Sequence, residues 1–195
     1  MARVAFLVDE MFEDSEFRVP YDRVRSAGHE AVLVGLAAGK ELVGKRGKET
    51  IRTERAAEDV SEDDFDAVVI PGGYSPDHVR TSTAAVGLVR NAFNQGKPVA
   101  AICHAGWVLA EADIADGRTL TSWPSIKTDL LNAGARWVDR EVVEDGNLIT
   151  SRKPDDLPAF CDALLGQLER GAPARAEPAT APEGTAQEPA PGRAA

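Results

Sequence analysis

A chain of 195 residues with 32 acidic and 22 basic side chains has room for one ordinary domain around a single core. Its formal charge of -10, with no block of Lys and Arg to offset it, is the wrong sign for a phosphate-neutralising surface and argues against nucleic acid as a partner. Cys103 and Cys161, the two cysteines, each lie inside an apolar pattern, which fits a reducing compartment better than a disulfide framework.

The opening run RVAFLV (3–8) stops at Asp9 and Glu10, as a strand does and a signal peptide or membrane span does not, so a cytoplasmic location and no membrane contact are expected. A helical stretch around Phe17 to Ala27 and the run HEAVLVG (29–35) complete a βαβ opening. Between 36 and 58 the pattern breaks into charge and glycine (Gly39, Gly44, Gly47), which reads as a hairpin or irregular excursion. DAVVI (66–70), a helix from about Ser82 to Gln95 closed by Gly96, PVAAI (98–102) and a helix from about Ala105 to Ala112 repeat the alternation. Runs apolar on both faces predict a mostly parallel, doubly wound α/β sheet with helices on each side. EVVEDGNLITS (141–151), with Asp145-Gly146 at its turn, should add antiparallel strands. A last amphipathic helix runs from about Asp155 to Arg170, with Phe160, Cys161, Leu164 and Leu168 among its apolar positions. The predicted domain is 1–170. From 171 to 195 the composition turns to Ala, Pro, Glu and Thr without a large apolar residue, which predicts a disordered tail with no catalytic part.

Chemistry concentrates in VAAICHAGW (99–107), where a buried strand gives way at once to a helical pattern. Cys103 sits at that switch, an arrangement like a nucleophile elbow with cysteine in place of serine. Free N–H groups at a helix start favour negative charge, so the thiol is expected to be more acidic than a free one. Pro71-Gly72-Gly73 directly follows the strand DAVVI, and the N–H groups of Gly72 and Gly73 are candidate oxyanion donors beside Cys103. Glu10, Glu13, Asp14 and Glu16 follow the first strand; most should be solvated at a helix start, and one turned inward would be held protonated beside the sulfur. His104 is adjacent to the nucleophile in sequence, but consecutive residues at a tight turn diverge, so adjacency alone does not place imidazole beside sulfur. His29 and His78 read as a structural and an exposed loop histidine, and Cys161 as core. Trp123 reads as a core or interface residue that could instead wall the pocket. The three histidines and two cysteines show no metal-ligand spacing, and the glycines match no phosphate-binding motif, so neither metal nor nucleotide cofactor is expected.

FED at 12–14, VVIPGG at 68–73, AICH at 101–104, NAGA at 132–135, the EVV hairpin and SRKPDDLPAF at 151–160 occur in the order found in the PfpI-type intracellular proteases. The chain resembles that family, from about residue 3 to 169, within the class I glutamine amidotransferase-like superfamily that also includes deglycases and glyoxalases needing no added cofactor. The resemblance implies a flavodoxin-like fold, Cys103 as nucleophile, Glu13 as the buried acid hydrogen-bonded to it, and His104 as the histidine that follows it. It also implies that Asp77, after the PGG turn, reaches that histidine across a subunit interface in a homo-oligomer, either dimer or hexamer. Asp77 is one methylene shorter than the family's glutamate, and Ala105-Gly106 stands where the family has Gly-Pro.

The expected function is a stress-response cysteine hydrolase whose sulfur attacks a carbonyl carbon. The expected partners are a small carbonyl compound such as methylglyoxal, a glycated protein, or a peptide. An amidotransferase glutaminase is disfavoured because no histidine follows position 104. The alternative is a non-enzymatic redox sensor or chaperone-like protein in which Cys103 oxidation is the signal.

Overall fold

The computed structural model describes residues 1–171. The expected tail lies outside the described residues apart from Gly171. The chain runs β1 (Arg3–Leu7), α1 (Asp14–Ser26), β2 (Glu30–Gly35), β3 (Glu41–Val43), β4 (Thr50–Arg52), β5 (Arg55–Ala56), β6 (Ala67–Ile70), α2 (Ser75–Val79), α3 (Thr83–Asn94) and β7 (Val99–Ile102). It continues with α4 (Gly106–Glu111), β8 (Thr119–Leu120), α5 (Lys127–Asn132), β9 (Arg136–Trp137), β10 (Val142–Asp145), β11 (Leu148–Ser151) and α6 (Leu157–Arg170). Seven strands form one sheet in the order β10-β11-β7-β6-β1-β2-β5. Every pairing in it is parallel except β10 with β11.

Alternation along the strands divides the core. Val4 and Phe6 of β1, Val69 of β6 and Ala100 and Ile102 of β7 face Phe17 and Val24 of α1 and Phe160, Cys161 and Leu164 of α6. Ala5, Leu7, Val68, Ile70, Val99 and Ala101 face α3, α4 and α5 on the other side. Because β6 and β7 are buried on both faces, their sequences are continuous apolar runs and not alternating ones.

From β1 the chain passes through α1 to β2 on one side, and later returns to β6 on the other. The strand order therefore reverses between β1 and β6, and the crevice at the carboxyl ends of these strands is the natural ligand position of an open α/β sheet.

Two expectations need correction. The hairpin at 141–151 contributes only one antiparallel strand, β10; β11 runs parallel to β7, with Ser151 level with Ile102. The turn at Asp145-Gly146 fixes how the two strands pair with each other and leaves open which of them meets the sheet. The first helix starts at Asp14 and not near Phe17, which brings two carboxylates into its first turn. The 36–58 excursion is a hairpin, β3 with β4, followed by the short edge strand β5.

Candidate active site

At the end of β7 the backbone turns sharply. Cys103 has φ 64°, in the left-handed region that a residue with a Cβ adopts only at a cost of about 1–3 kcal/mol. A 3-10 turn over Cys103–Ala105 then leads into α4. This is the nucleophile elbow expected from the sequence, with the thiol 6% exposed at the carboxyl edge of the sheet.

The loops after β1 and β6 are laced together above it. The N–H of Glu13 donates to Gly72 O at 3.1 Å and that of Tyr74 to Met11 O at 2.9 Å, with a β-bridge between Phe12 and Gly73. Gly73 has φ 82°, and a Cβ there would lie 2.5 Å from Glu13 N and Met11 O. A Cβ on Gly72 would meet Glu16 Oε2 and lie 2.6 Å from the Cβ of Cys103. The two glycines are what lets three segments close on one sulfur.

The carboxyl group against that sulfur belongs to Glu16, where the resemblance had implied Glu13. Glu16 has no exposed surface; its Oε2 accepts the Gly72 N–H at 3.0 Å, and its carboxyl is within hydrogen-bond reach of Cys103. Oε1 is buried with no N–H or O–H donor. Burial, followed by the nearby charge of Glu13, pushes Glu16 up to about 8, so this carboxyl keeps its proton at neutral pH. Glu13 turns to the hairpin instead, with Lys45 Nζ 2.6 Å from Oε2 and Arg46 Nε 3.0 Å from Oε1. The Gly72 N–H is engaged by Glu16 and is therefore not a free oxyanion donor; the N–H groups of Gly73 and His104 face the sulfur.

The thiol is less acidic than the sequence led us to expect. Burial, then the charge of Glu16, pushes Cys103 up to about 12, outweighing the Gly73 and His104 N–H groups and Lys45. A helix of six residues is a weak source of field beside those two effects. Cys161, buried in the core, is also pushed up, to about 11, by burial.

His104 does reach the sulfur, with Nδ1 3.2 Å from Sγ. Its Nε2 lies 3.3 Å from Ser125 Oγ, and its ring lies between Trp107 and Trp123 at 5.2 and 6.4 Å. Burial and then Lys45 hold His104 below its ordinary value, so the imidazole is neutral at pH 7. Asp77 contacts Arg80 at 2.7 Å within its own chain and is half-exposed. Arg80 in turn covers the ring of Trp107, so Asp77 occupies the surface beside His104 without touching it. His78 is exposed, and His29 accepts the N–H of Ala2, as expected of a structural histidine.

The hairpin that supplies Lys45 is anchored by Asp14, whose carboxylate accepts the N–H groups of Arg46, Lys48 and Glu49, each at 2.9 Å. Although burial works against it, these N–H groups hold Asp14 below its ordinary value. Gly44 is required there because a Cβ would overlap the Asp14 carboxylate. A cavity of about 660 Å³ opens beside Glu13, between Arg18, Arg46, Lys48, Trp123 and Pro154. Trp123 is thus a wall of the cavity, and its backbone N–H donates to Cys103 O at 3.2 Å. Lys45, Arg46 and Ser125 were not singled out from the sequence; only their contacts reveal them. Among the described residues no group of three or more His, Cys, Asp or Glu could hold a metal ion, and no helix is long and apolar enough to cross a membrane.

Residues 2–167 match the DJ-1/PfpI family. Protein/nucleic acid deglycase 2 of Escherichia coli is 45% identical over 159 residues, covering 81% of this chain and 92% of that protein. Deglycase PfpI of Pyrococcus furiosus is 42% identical over 167 residues, covering 86% and 99%. Among solved structures, Drosophila melanogaster DJ-1beta superposes with a TM-score of 0.79 at 34% identity, covering 87% of this chain and 90% of that one. With the match spanning the elbow, the glycine turn and both flanking helices, the chain belongs to the DJ-1/PfpI family.

Proposed function

We propose that the protein is a cysteine-dependent hydrolase of the deglycase type, in which the sulfur of Cys103 attacks a carbonyl carbon. The observation that carries this reading is the elbow itself: a strained cysteine with His104 Nδ1 at 3.2 Å and the protonated carboxyl of Glu16 against it. The thiol is protonated at rest, so attack requires an acceptor for its proton. A neutral His104 with Nε2–H donated to Ser125 presents Nδ1 to the sulfur as that acceptor. As the C–S bond forms, the S–H proton passes to Nδ1, and the carbonyl oxygen becomes an alkoxide near the N–H groups of Gly73 and His104.

On methylglyoxal held as a hemiaminal, the C–N bond breaks, the hydroxyl proton leaves with the amine and the aldehyde carbonyl is restored; addition of the Cys103 sulfur to that carbon then gives a hemithioacetal. Moving hydrogen from the former aldehyde carbon to the neighbouring ketone carbon oxidises the first and reduces the second, leaving a thioester. Water then releases lactate and the free thiol. The internal transfer balances without an external oxidant. The deglycase names of two relatives support removal of an adduct from an amine.

Amide cleavage is less well served, since it relies on a His104 oriented by an acid to protonate the leaving amine, and Asp77 is engaged by Arg80. Asp77 gains a role beside His104 only if a second copy of the chain rearranges that surface, so we also propose a homo-oligomer. Two free cysteines accord with a cytoplasmic setting.

The test is to incubate the protein with methylglyoxal-treated N-acetyl-lysine and follow lactate and free amine together. Equal release of both is expected. Loss of free methylglyoxal with no amine release would point to a glyoxalase, and accumulation of an oxidised thiol without turnover to a sensor.

A further inference from the structure

Within the site, Glu13 and Lys45 have no assigned part. Glu13 is 2% exposed and three residues from Glu16, yet its carboxylate faces the hairpin. Lys45 reaches it from the β3–β4 turn, where its own N–H donates to Phe12 O at 2.8 Å and Asp14 holds the neighbouring backbone. Both backbone and ammonium are therefore fixed to Phe12 and Glu13, the residues that lead into α1 and so to Glu16.

We propose that Lys45 is a positioning residue for the reaction: clamped by Glu13, its ammonium supplies the positive field in which the sulfur of Cys103 carries the negative charge of attack. Glu13 serves by holding that cation, and Glu16 by touching the sulfur. The inference rests on the reading of Cys103 as nucleophile, although its test reads ionisation of the thiol and not turnover.

The charged and titratable groups packed around the sulfur agree. Lys45 favours the charged forms of Cys103 and Glu16; it disfavours a charged His104, so its field helps the sulfur to lose its proton and keeps the imidazole neutral until attack. Glu16, from α1, opposes thiolate formation when ionised. Glu13 carries a second negative charge nearby, which raises Glu16, and Arg46 shares Glu13 from the solvent side with a half-exposed side chain. Lys45 itself is held above its ordinary value: burial opposes this, and the hydrogen bond and charge of Glu13 prevail. It therefore remains an ammonium throughout the pH range in which the site works. Lys45 adds to the larger effect of the Gly73 and His104 N–H groups in offsetting the desolvation of the buried thiol.

The test measures the rate of iodoacetamide alkylation of Cys103 against pH, in full-length protein carrying Cys161→Ser. Below the thiol pKa the rate follows the thiolate fraction. Lys45→Met should slow alkylation about tenfold at pH 7.5, the effect of one pKa unit, while Lys45→Arg retains most of the rate. Glu13→Gln separates clamp from charge. In the Lys45→Met background it only removes an anion and should speed alkylation, whereas with Lys45 present it also frees the ammonium and should speed it less or slow it. Thermal unfolding of each variant establishes that it is folded, and Lys45→Gln stands in for a Met variant that does not fold. Alkylation of folded Lys45→Met or Lys45→Gln within twofold of the parent would overturn the proposal. So would the same response to Glu13→Gln in both backgrounds. Failure of the enzymatic reading with these shifts intact would leave Lys45 as the group that tunes the thiol.

Discussion

Replacing Glu16 by Gln should make the protein more stable and less active, with a stability gain that depends on pH. Glu16 is completely buried and rises from an ordinary 4.5 to about 8 in the folded chain. A carboxyl whose folded pKa is raised lends its full stability below the unfolded value and loses it as pH climbs through the folded one. Between pH 4.5 and 8 wild type should therefore lose roughly 5 kcal/mol that an uncharged amide does not. For a domain of this size that corresponds to a relative rise in Tm of about 10–20 °C for Glu16→Gln. The assay is thermal or urea unfolding of both proteins at half-unit steps from pH 4.5 to 9. The difference should be small at pH 4.5, widen up to about pH 8 and then level off. Parallel curves across that range would refute the claim that Glu16 is a neutral acid held at the sulfur. A protein that carries such a cost in its core does so for chemistry.

Gly72→Ala places a methyl group against Glu16 and the Cβ of Cys103, so it should cost about 1–3 kcal/mol in urea unfolding and also lower alkylation of Cys103; a variant with normal stability would contradict the close approach. His104→Gln removes the proton acceptor and should reduce kcat roughly 10²–10⁴-fold. In wild type the acid limb of the pH-rate profile should fall below pH 6.5, because burial and Lys45 hold His104 under its ordinary value; a limb well above that pH, or a variant of normal rate, would exclude His104 as the base. Asp14→Ala leaves three N–H groups of the hairpin turn without their carboxylate and should cost about 3 kcal/mol at pH 7. Since Asp14 is held below its ordinary value, that contribution is present above pH 3.8 and is lost only as pH falls through the lower folded value; hydrogen exchange localised to residues 44–49 checks it.

Much of the fold could be read along the chain because β1, β6 and β7 are short apolar runs broken by glycine and helical segments. Cys103 was legible for the same reason, as the last letter of a buried strand. The identity of its acid was not. Glu13 and Glu16 are three residues apart at the start of one helix, close neighbours on its surface, and spacing cannot rank them. The decision comes from groups distant in sequence: the Gly72 N–H claims Glu16, and Lys45 with Arg46 claims Glu13. Those two cations lie in the stretch that has neither strand nor helix period, where composition says only that the chain leaves the sheet. The direction of the thiol shift was missed because a helix start is visible in sequence, whereas burial and the inward turn of Glu16 are tertiary. Trp123 was ambiguous for a related reason: an isolated tryptophan carries no sign of whether it faces core, partner or cavity.

Cys103 as the nucleophile is tested by lactate release from a methylglyoxal-amine adduct by wild type, Cys103→Ser and Cys161→Ser, each purified alike. Wild type and Cys161→Ser should turn over at similar rates while Cys103→Ser falls to the background of the buffer. Equal loss in both cysteine variants, or undiminished release from Cys103→Ser, would contradict the assignment of Cys103 as the nucleophile.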